Sequence, residues 1–295
     1  MTMNQQQALV TGASSGLGKA VSRALAARGL RVLMVARDAA RGRAAQDEIV
    51  AATGNPAVEL LCCDLSSQAQ IRDLAAAVRS RVDALHLLIN NAGTAFPRHG
   101  LTADGVERTL AVNHLAPYLL TRLLLDRLQA GAPARIVNVG TRMNTAMVLD
   151  DLNWQRRPYR MMQAYGQAKL GNIHFTRELA RRLAGSGVTV NCVFPGVFRS
   201  NLGGTDGAQG LFWRAVDRLL GWALKTPEQA AERVLYLLIA DATAGLSGAY
   251  IGDRMPIKAP AQADDVTANA RLWELSAEMV GLPVDTGIHR TVPGS

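Results

Sequence analysis

Two side chains that could move a proton stand four residues apart, at Tyr165 and Lys169. Residues at this spacing project from the same face of an α-helix, so both can reach one bound molecule. A free tyrosine, with a pKa of about 10, is a poor base at neutral pH. A neighbouring ammonium stabilises the phenolate, so the pair suits general acid–base catalysis in which the phenol gives or takes a proton.

A second group of residues could bind a phosphate. The sequence TGASSGLG at Thr11–Gly18 directly follows a short apolar run, Ala8–Val10. Gly12 would permit a tight turn, Gly16 would let the backbone approach a pyrophosphate, and Gly18 would let a helix pack closely on the preceding strand. The amides at the N-terminus of that helix would bind the phosphate charge. The spacing differs from the common G-x-G-x-x-G pattern, and a simple glycine-rich turn is the alternative.

These groups need a scaffold of alternating strands and helices. Short apolar runs occur at Ala8–Val10, Val32–Val35, Val58–Leu61, Leu85–Ile89, Arg135–Val139, Val188–Phe194 and, as an edge strand, Ala249–Ile251. Segments of helical period separate them, and the C-terminal part has two more, Pro227–Ala240 and Arg271–Val280. Strands that are apolar on both faces form a parallel sheet covered by helices on both sides. The sequence therefore predicts an α/β fold in one domain, a doubly wound, Rossmann-type parallel sheet of about seven strands.

Composition narrows the classes of function. The 295 residues are 48% hydrophobic, which is enough for a large core, and carry a formal net charge of +8. Most arginines stand singly inside helical patterns, which indicates solvated helix faces rather than a nucleic-acid surface. Cys62, Cys63 and Cys192 give neither a disulfide framework nor a metal-ligand spacing, so no metal is expected. Since no stretch is long and apolar enough for a transmembrane segment, we expect a cytoplasmic protein.

Together these motifs resemble those of the short-chain dehydrogenase/reductase family. TGASSGLG is similar to that family's glycine signature, and Asn90-Asn91-Ala92-Gly93 is similar to its NNAG segment. The resemblance continues in the family's order through Cys63-Asp64-Leu65, Asn113, Tyr165-Gly166-Gln167-Ala168-Lys169 and Pro195-Gly196. Two further segments, Asp150–Trp154 and Phe175–Leu179, look more like the branch that contains retinol dehydrogenases, protochlorophyllide reductases and WW-domain oxidoreductases.

The resemblance implies a nicotinamide cofactor, and the end of the second strand bears on its type. Ala36 stands where an acidic residue would bind the ribose 2′-hydroxyl of NAD, and Arg37 follows it. The Arg37 guanidinium suits the 2′-phosphate of NADP, so NADP(H) is preferred to NAD(H). Alternatively, Arg37 only solvates the strand end or pairs with Asp38. The other cofactor contacts implied are Gly12, Ser14, Ser15, Gly16, Leu17, Gly18, Asp64, Leu65, Asn91, Ala92, Gly93, Tyr165, Lys169, Pro195, Gly196, Val197 and Ser200.

Some of these contacts have structural alternatives. Asp64 would bind the adenine through its carboxylate and Leu65 through its backbone, but Asp64 could instead cap a helix. Pro195 and Gly196 could form a turn without touching the cofactor.

The resemblance also implies the catalytic set Asn113, Thr141, Tyr165 and Lys169. Tyr165 would give its proton to a carbonyl oxygen, while Lys169 would stabilise the phenolate and hold ribose hydroxyls. Asn113 would kink its helix and hold a water. The family has a pair of serines where this chain has Gly140 and Thr141. Thr141 keeps a hydroxyl at the position that would polarise the carbonyl.

Substrate identity should depend on residues 198–225, whose second half carries an apolar stripe with Phe212, Trp213 and Trp222. This stripe could be core, a lid that contacts a bulky apolar substrate, or, with Arg214 and Arg218, a shallow contact with a membrane surface. The implied function interconverts a ketone or aldehyde and an alcohol on such a substrate. Helix pairs of this family commonly build homo-oligomers. The alternative is a catalytically weak NADP(H)-binding sensor or interaction protein, for which Gly140 and Thr141 are the sequence support.

Overall fold

The computed structural model describes residues 6–197 and 225–285. Its strands are β1 (Gln7–Thr11), β2 (Arg31–Ala36), β3 (Val58–Cys62), β4 (Leu87–Asn90), β5 (Ala134–Val139), β6 (Val188–Phe194), β7 (Tyr250–Gly252) and β8 (Met255–Pro256). They form one sheet in the order β3-β2-β1-β4-β5-β6-β7-β8. Every neighbouring pair is parallel except β7 and β8.

Helices cover both faces of this sheet. They are α1 (Gly16–Ala26), α2 (Ala39–Thr53), α3 (Gln68–Arg79), α4 (Arg108–Leu110), α5 (Ala116–Leu123), α6 (Leu125–Ala130), α7 (Met161–Arg182), α8 (Pro227–Ile239) and α9 (Val266–Met279). A π-helical turn, Ala111–Leu115, joins α4 to α5. Helices α1, α2 and α8 bury one face of the sheet, and α3, α5 and α7 bury the other, with α9 packed on α7. None of the helices in the described ranges combines the length and hydropathy needed to cross a membrane.

The strand order brings the ends of four strands to one edge of the sheet. Strand β1 pairs with β2 on one side and with β4 on the other. Strands β2 and β3 are thus added on one side of β1, and the later strands from β4 onward are added on its other side. The chain after β1 leads to α1 on one face of the sheet and the chain after β4 leads to α5 on the other, the arrangement that places ligand sites at the carboxyl ends of the strands. Strands β5 and β6 end at the same edge. The segments after β1, β4, β5 and β6 can therefore meet at one site.

The predicted doubly wound parallel sheet is confirmed, but within residues 6–197 and 225–285 it has eight strands rather than about seven. The extra strand is β8, which pairs with β7 in antiparallel fashion through Ile251↔Pro256 and Gly252↔Met255. It forms because Asp253 and Arg254 both adopt positive φ, at 55° and 68°, which closes a two-residue hairpin. The edge position predicted for Ala249–Ile251 therefore belongs to β8.

The final helix, α9, starts earlier than predicted. Its first residue is Val266 rather than Arg271, because the Asp265 carboxylate accepts a hydrogen bond from the Thr267 amide at 2.8 Å and so caps the helix there. Two other predictions fall outside the described residues: the apolar stripe with Phe212, Trp213 and Trp222, and the cofactor contact at Ser200.

Candidate active site

The loop between β1 and α1 turns sharply at two glycines. Gly12 and Gly16 have φ values of +66° and +52°, in the left-handed region that glycine adopts at little cost. A methyl group on Gly18 would lie only 2.3 Å from the Gly12 carbonyl oxygen and 2.5 Å from Asn91 Nδ2. Only glycine therefore lets α1 begin so close to the end of β1.

The first turn of α1 presents its amides without a side-chain cap. Ser15 is the N-cap residue, but its side chain accepts no hydrogen bond from the helix, and the first turn has no acidic residue. Helices α2 and α3, in contrast, are capped by Asp38 and Ser67. Ser15 is also exposed. The positive end of α1 is therefore open to an anionic group such as a pyrophosphate.

Asn91 is tied into the glycine turn. Its Nδ2 donates to the carbonyl oxygens of Thr11 at 2.7 Å and of Gly12 at 3.3 Å. The Thr11 hydroxyl accepts from the amides of Asn91 at 2.9 Å and Ala92 at 3.0 Å. These bonds join the loops after β1 and β4. Thr11 was not among the predicted site residues. The signal that could have identified it is a threonine at the end of a buried strand, directly before Gly12.

Two predicted catalytic residues, Asn113 and Lys169, meet at Gly93, and Tyr165 lies next to Lys169. Lys169 is buried, its Nζ donates to the Val139 carbonyl oxygen at 2.8 Å, and it lies 5.9 Å from the centre of the Tyr165 ring. A methyl group on Gly93 would lie 2.9 Å from Asn113 Oδ1 and 3.1 Å from Lys169 Nζ. The loop after β4, the π-helical turn and α7 therefore bring Asn113, Tyr165 and Lys169 to one place at the carboxyl edge of the sheet.

Asn113 is held by three hydrogen bonds inside the π-helical turn. Its Nδ2 donates to the carbonyl oxygens of Thr94 and Thr109, both at 2.7 Å, and its Oδ1 accepts from the Thr94 amide at 3.1 Å. The side chain thus fixes the loop after β4 to the helix. The kink that the resemblance implied at Asn113 takes the form of this π turn, a feature common at functional sites.

Burial shifts the pKa values of the two titratable groups in opposite directions. Loss of hydration raises the pKa of Tyr165 to about 12 and lowers the pKa of Lys169 to about 8, because burial disfavours the charged form of each group. At pH 7 Lys169 is therefore mostly cationic and Tyr165 holds its proton. The phenol is placed to donate a proton, and for it to act as a base more positive charge is needed beside its ring.

Packing explains why position 140 is a glycine. A methyl group on Gly140 would lie 2.7 Å from Sγ of Cys192, which is fully buried on β6. The family that the sequence resembles has a serine at this position, and a serine here would overlap the Cys192 thiol. The next residue, Thr141, is half-buried, and its carbonyl oxygen accepts a hydrogen bond from Tyr250 Oη at 2.9 Å. The presence of glycine instead of serine at position 140 is therefore explained by the packing of Cys192.

Substituting Gly140 with serine should destabilise the protein by about 1–3 kcal/mol, because the new side chain must displace Cys192. The double variant Gly140→Ser/Cys192→Ala should recover most of this loss. Urea unfolding measures both. Gly245→Ser is the matched control, since a Cβ there meets nothing within 4 Å. Equal losses at positions 140 and 245 would show that the overlap with Cys192 is not the cause.

Arg37 directly follows β2 and is exposed. Asp38 caps α2 by accepting from the Arg41 amide at 2.9 Å, and its carboxylate pairs with the Arg41 side chain at 4.0 Å. In the described ranges no salt bridge joins Arg37 to Asp38, but the pKa of the Asp38 carboxyl is lowered, mainly by the hydrogen bond from the Arg41 amide and in part by the charge of Arg37. The alternative that Arg37 pairs with Asp38 therefore stays open. Arg37 stands at the carboxyl edge of the sheet, where β2 pairs with β1.

Asp64 and Leu65 follow β3 at the same edge. The Asp64 carboxylate accepts from the Ser66 amide at 2.9 Å, whereas the helix cap of α3 is Ser67, whose hydroxyl accepts from the Gln70 amide at 3.3 Å. The alternative role of Asp64 as the helix cap is therefore wrong. Leu65 is half-buried and packs against the core.

Pro195 and Gly196 end β6, and Gly196 turns the chain with a φ of +91°. A methyl group there would lie 2.6 Å from Arg233 Nη1, so the glycine also makes room for this largely buried side chain. Val197 is 68% exposed, and its carbonyl oxygen accepts from the Lys225 amide at 3.3 Å. The turn that the sequence analysis kept as an alternative is present, and it leaves the backbone of Val197 at the same edge as Gly93.

The arrangement fits a dinucleotide cofactor. A tight turn at Gly12 and Gly16 leads to an uncapped helix N-terminus, and Arg37 is exposed directly after β2. The buried Lys169 ammonium lies beside Gly93, with the Tyr165 ring next to it. These features suit, in order, a pyrophosphate, a phosphorylated ribose and a ring that reacts next to Tyr165. The described residues contain no group of three or more His, Cys, Asp or Glu side chains that could hold a metal ion.

Comparisons with known proteins agree with this geometry. A family model described as short chain dehydrogenase matches residues 6–209. Human retinol dehydrogenase 13 is 42% identical over 299 aligned residues, which cover 99% of this chain and 89% of that protein. An uncharacterised protein from Mycobacterium paratuberculosis has a TM-score of 0.77 and 32% identity, with 95% of each chain covered. A short chain dehydrogenase from Burkholderia cenocepacia in complex with NADP has a TM-score of 0.64 and 28% identity, covering 85% of this chain and 97% of that one.

Proposed function

The chain belongs to the short-chain dehydrogenase family, in its retinol dehydrogenase branch, and we propose that this oxidoreductase uses NADP(H) to interconvert a ketone or aldehyde and an alcohol on a bulky, mainly apolar small molecule. The observation that carries the proposal is that Lys169 and Asn113 meet at Gly93, with the centre of the Tyr165 ring 5.9 Å from Lys169 Nζ. A buried phenol and ammonium at the carboxyl edge of the sheet are the groups that proton transfer to or from a substrate oxygen requires.

A bound nicotinamide would supply or accept the hydride. The turn from Gly12 to Gly18, with Ser14, Ser15 and Leu17, would hold the pyrophosphate. Arg37 would hold the 2′-phosphate, and Asp64 and Leu65 would contact the adenine. Gly93 and Lys169 would contact the ribose next to the reacting ring, and Val197 would contact the carboxamide. The Asn91 side chain donates hydrogen bonds to the glycine turn, so it would contribute to cofactor binding by shaping that turn.

Tyr165 would be the acid/base. In the reductive direction its hydroxyl would give a proton to the oxygen that becomes the alcohol, and in the oxidative direction the phenolate would take that proton back. Lys169, which is mostly cationic at pH 7, would lower the free energy of the phenolate. The Thr141 hydroxyl would polarise the carbonyl. Asn113 would hold the loop after β4 on the π-helical turn through its bonds to Thr94 and Thr109.

Two observations support an apolar substrate. Human retinol dehydrogenase 13 is named for retinol, a lipophilic alcohol, and it aligns with this chain over nearly its whole length. Exposed apolar side chains also lie near Tyr165, since Met162 is 42% exposed in the first turn of α7 and Val148 is 37% exposed in the segment before it.

A substrate screen tests the proposed function. Retinal and other lipophilic ketones and aldehydes are tested with NADPH, and the matching alcohols with NADP⁺, by following absorbance of the reduced cofactor. Turnover of at least one apolar compound is expected. Cofactor binding without turnover across the panel would instead support the sensor function. The contact with Cys192 gives Gly140 a packing reason, so Thr141 is the remaining sequence support for that alternative.

Removing the side chain of Arg37 should shrink the preference for NADP(H) over NAD(H). Arg37→Ala loses a charge-assisted contact worth about 1.5–3 kcal/mol, so NADPH affinity should fall about 10- to 100-fold while NADH affinity hardly changes. Titration of both cofactors measures this, and Arg28→Ala, a change at the far end of α1, is the control. An unchanged ratio of the two affinities would refute the role of Arg37.

A further inference from the structure

One sequence motif named above, Asp150–Trp154, has no part in the chemistry described so far. The segment Asp151–Tyr159, here called the latch, contains the Asp-Leu-Asn-Trp sequence and lies between β5 and α7. The Asp151 carboxylate accepts from the amides of Gln155 at 2.7 Å and Arg156 at 3.3 Å. Trp154 is buried and adopts a φ of +56°, a strained conformation for a large residue. The latch is thus a tightly bonded loop whose conformation its surroundings must enforce.

Arg157 connects the latch to the helix that carries Tyr165. Its guanidinium lies over the Trp154 ring, 3.6 Å from the ring centre, and pairs with the Asp151 carboxylate at 3.2 Å. Its Nη2 also donates to Gln167 Oε1. Gln167 is only 1% exposed and lies two residues after Tyr165 on α7. A change at Arg157 therefore reaches the turn of α7 that holds the phenol.

The other side of the latch is bonded to the helix of Asn113. Asn153 Oδ1 accepts from the Glu107 amide at 2.9 Å. The buried Glu107 carboxylate in turn caps α4 by accepting from the amides of Thr109 and Leu110, both at 2.8 Å. Tyr159 Oη lies 3.0 Å from Thr109 Oγ1. Since Asn113 donates to the Thr109 carbonyl, these bonds lead directly to the π-helical turn.

We propose that the latch positions the two halves of the catalytic site against each other, and that the Arg157–Gln167 hydrogen bond is the contact through which it holds Tyr165. The N-cap residue of α7, Arg160, makes no side-chain capping bond, so the bond from Arg157 to Gln167 is a side-chain contact between the latch and the first two turns of this helix. Arg157 is a positioning residue in this proposal, which rests on the proposed function because the reaction being positioned is the one assigned to Tyr165.

A double-mutant cycle tests the contact. Arg157→Met keeps an unbranched side chain but removes the donors to Gln167 and the charge opposite Asp151. We expect kcat to fall about tenfold, since a small displacement of an acid/base group is costly, while the Kd for NADPH stays within about twofold. Gln167→Leu should lower kcat similarly, and the double variant should be no slower than the worse single variant. Losses that multiply would overturn the proposal, because Arg157 would then not act through Gln167.

Two further variants separate positioning from general loss of structure. Arg157→Lys, which keeps the charge near Asp151, should recover part of the lost kcat. Arg156→Met is the matched control and should match the parent, because the exposed Arg156 contributes only its backbone amide to the latch. A loss of kcat in Arg156→Met as large as in Arg157→Met would also overturn the proposal.

Hydrogen exchange tests the same contact without any substrate. In Arg157→Met, amides of residues 164–168 should exchange about tenfold faster than in the parent, while those of 172–180 keep their protection. Unchanged protection at 164–168 would overturn the proposal. If the parent protein turns over nothing in the substrate screen, the proposed function fails, yet this measurement still decides whether Arg157 holds the start of α7.

Discussion

Replacing Tyr165 with phenylalanine is expected to lower kcat by about 10²- to 10⁴-fold, while the Kd for NADPH stays within about twofold. The ring is 7% exposed and packs without change in the variant, so only the transferable proton is lost. The effect is measured with the best substrate from the screen, and cofactor binding is measured by titration.

The control for this variant is Tyr236→Phe, which removes a hydroxyl from α8, on the opposite face of the sheet from α7. It should keep the parent kcat. A Tyr165→Phe protein that retains most of its rate would refute the assignment of the acid/base, even with the fold and the cofactor site intact.

Lys169→Met should reduce both turnover and cofactor affinity, each by about tenfold or more, because one ammonium stabilises the phenolate and holds the ribose. This combined loss distinguishes Lys169 from Tyr165, whose replacement spares the affinity. Steady-state kinetics and NADPH titration measure the two effects. A variant that loses turnover alone would leave Lys169 no role in cofactor binding.

The stability of the same variant depends on pH in a way that tests the burial of Lys169. Its pKa is about 8 in the folded protein and about 10.4 when unfolded, so between pH 7 and 9 the unfolded chain binds more protons. The free energy of unfolding of the parent should therefore rise by about 1 kcal/mol relative to Lys169→Met over this interval. Urea unfolding of both proteins at the two pH values measures it, and parallel pH dependences would mean that Lys169 titrates as an exposed lysine.

The apolar runs predicted the parallel strands because each strand is buried on both faces. The run Val188–Phe194 coincides with β6, but Leu85–Ile89 is displaced from β4, Leu87–Asn90. The Leu85 amide bonds to the Arg127 carbonyl instead of a strand, and Asn90 enters the sheet because its Nδ2 donates to Asn138 Oδ1 at 2.8 Å. A buried asparagine in a strand depends on a partner 48 residues away, which local sequence does not reveal.

Two other features of the structure also could not be predicted from a sequence motif. Strand β8 depends on positive φ at Asp253 and Arg254. Aspartate is common at the first position of such a hairpin, but Arg254 stands where glycine usually follows it. The departure at Gly140 was visible in the sequence, but its cause, Cys192, lies on the neighbouring strand. The glycine turn and the pair Tyr165 and Lys169 were predictable because their spacing is local and imposed by one turn or one helix.

The two-residue strand at the end of the sheet limits how copies of this protein could associate. Pro256 has no N–H, and β8 ends there, so an approaching strand would find almost no ladder of hydrogen bonds to continue. Exposed edge strands can aggregate by pairing with a strand of another molecule. At this edge such pairing is disfavoured, because β8 offers too few backbone hydrogen-bonding groups. Self-association on this side of the molecule must rely on side chains, such as the 67% exposed Met255, rather than on strand pairing.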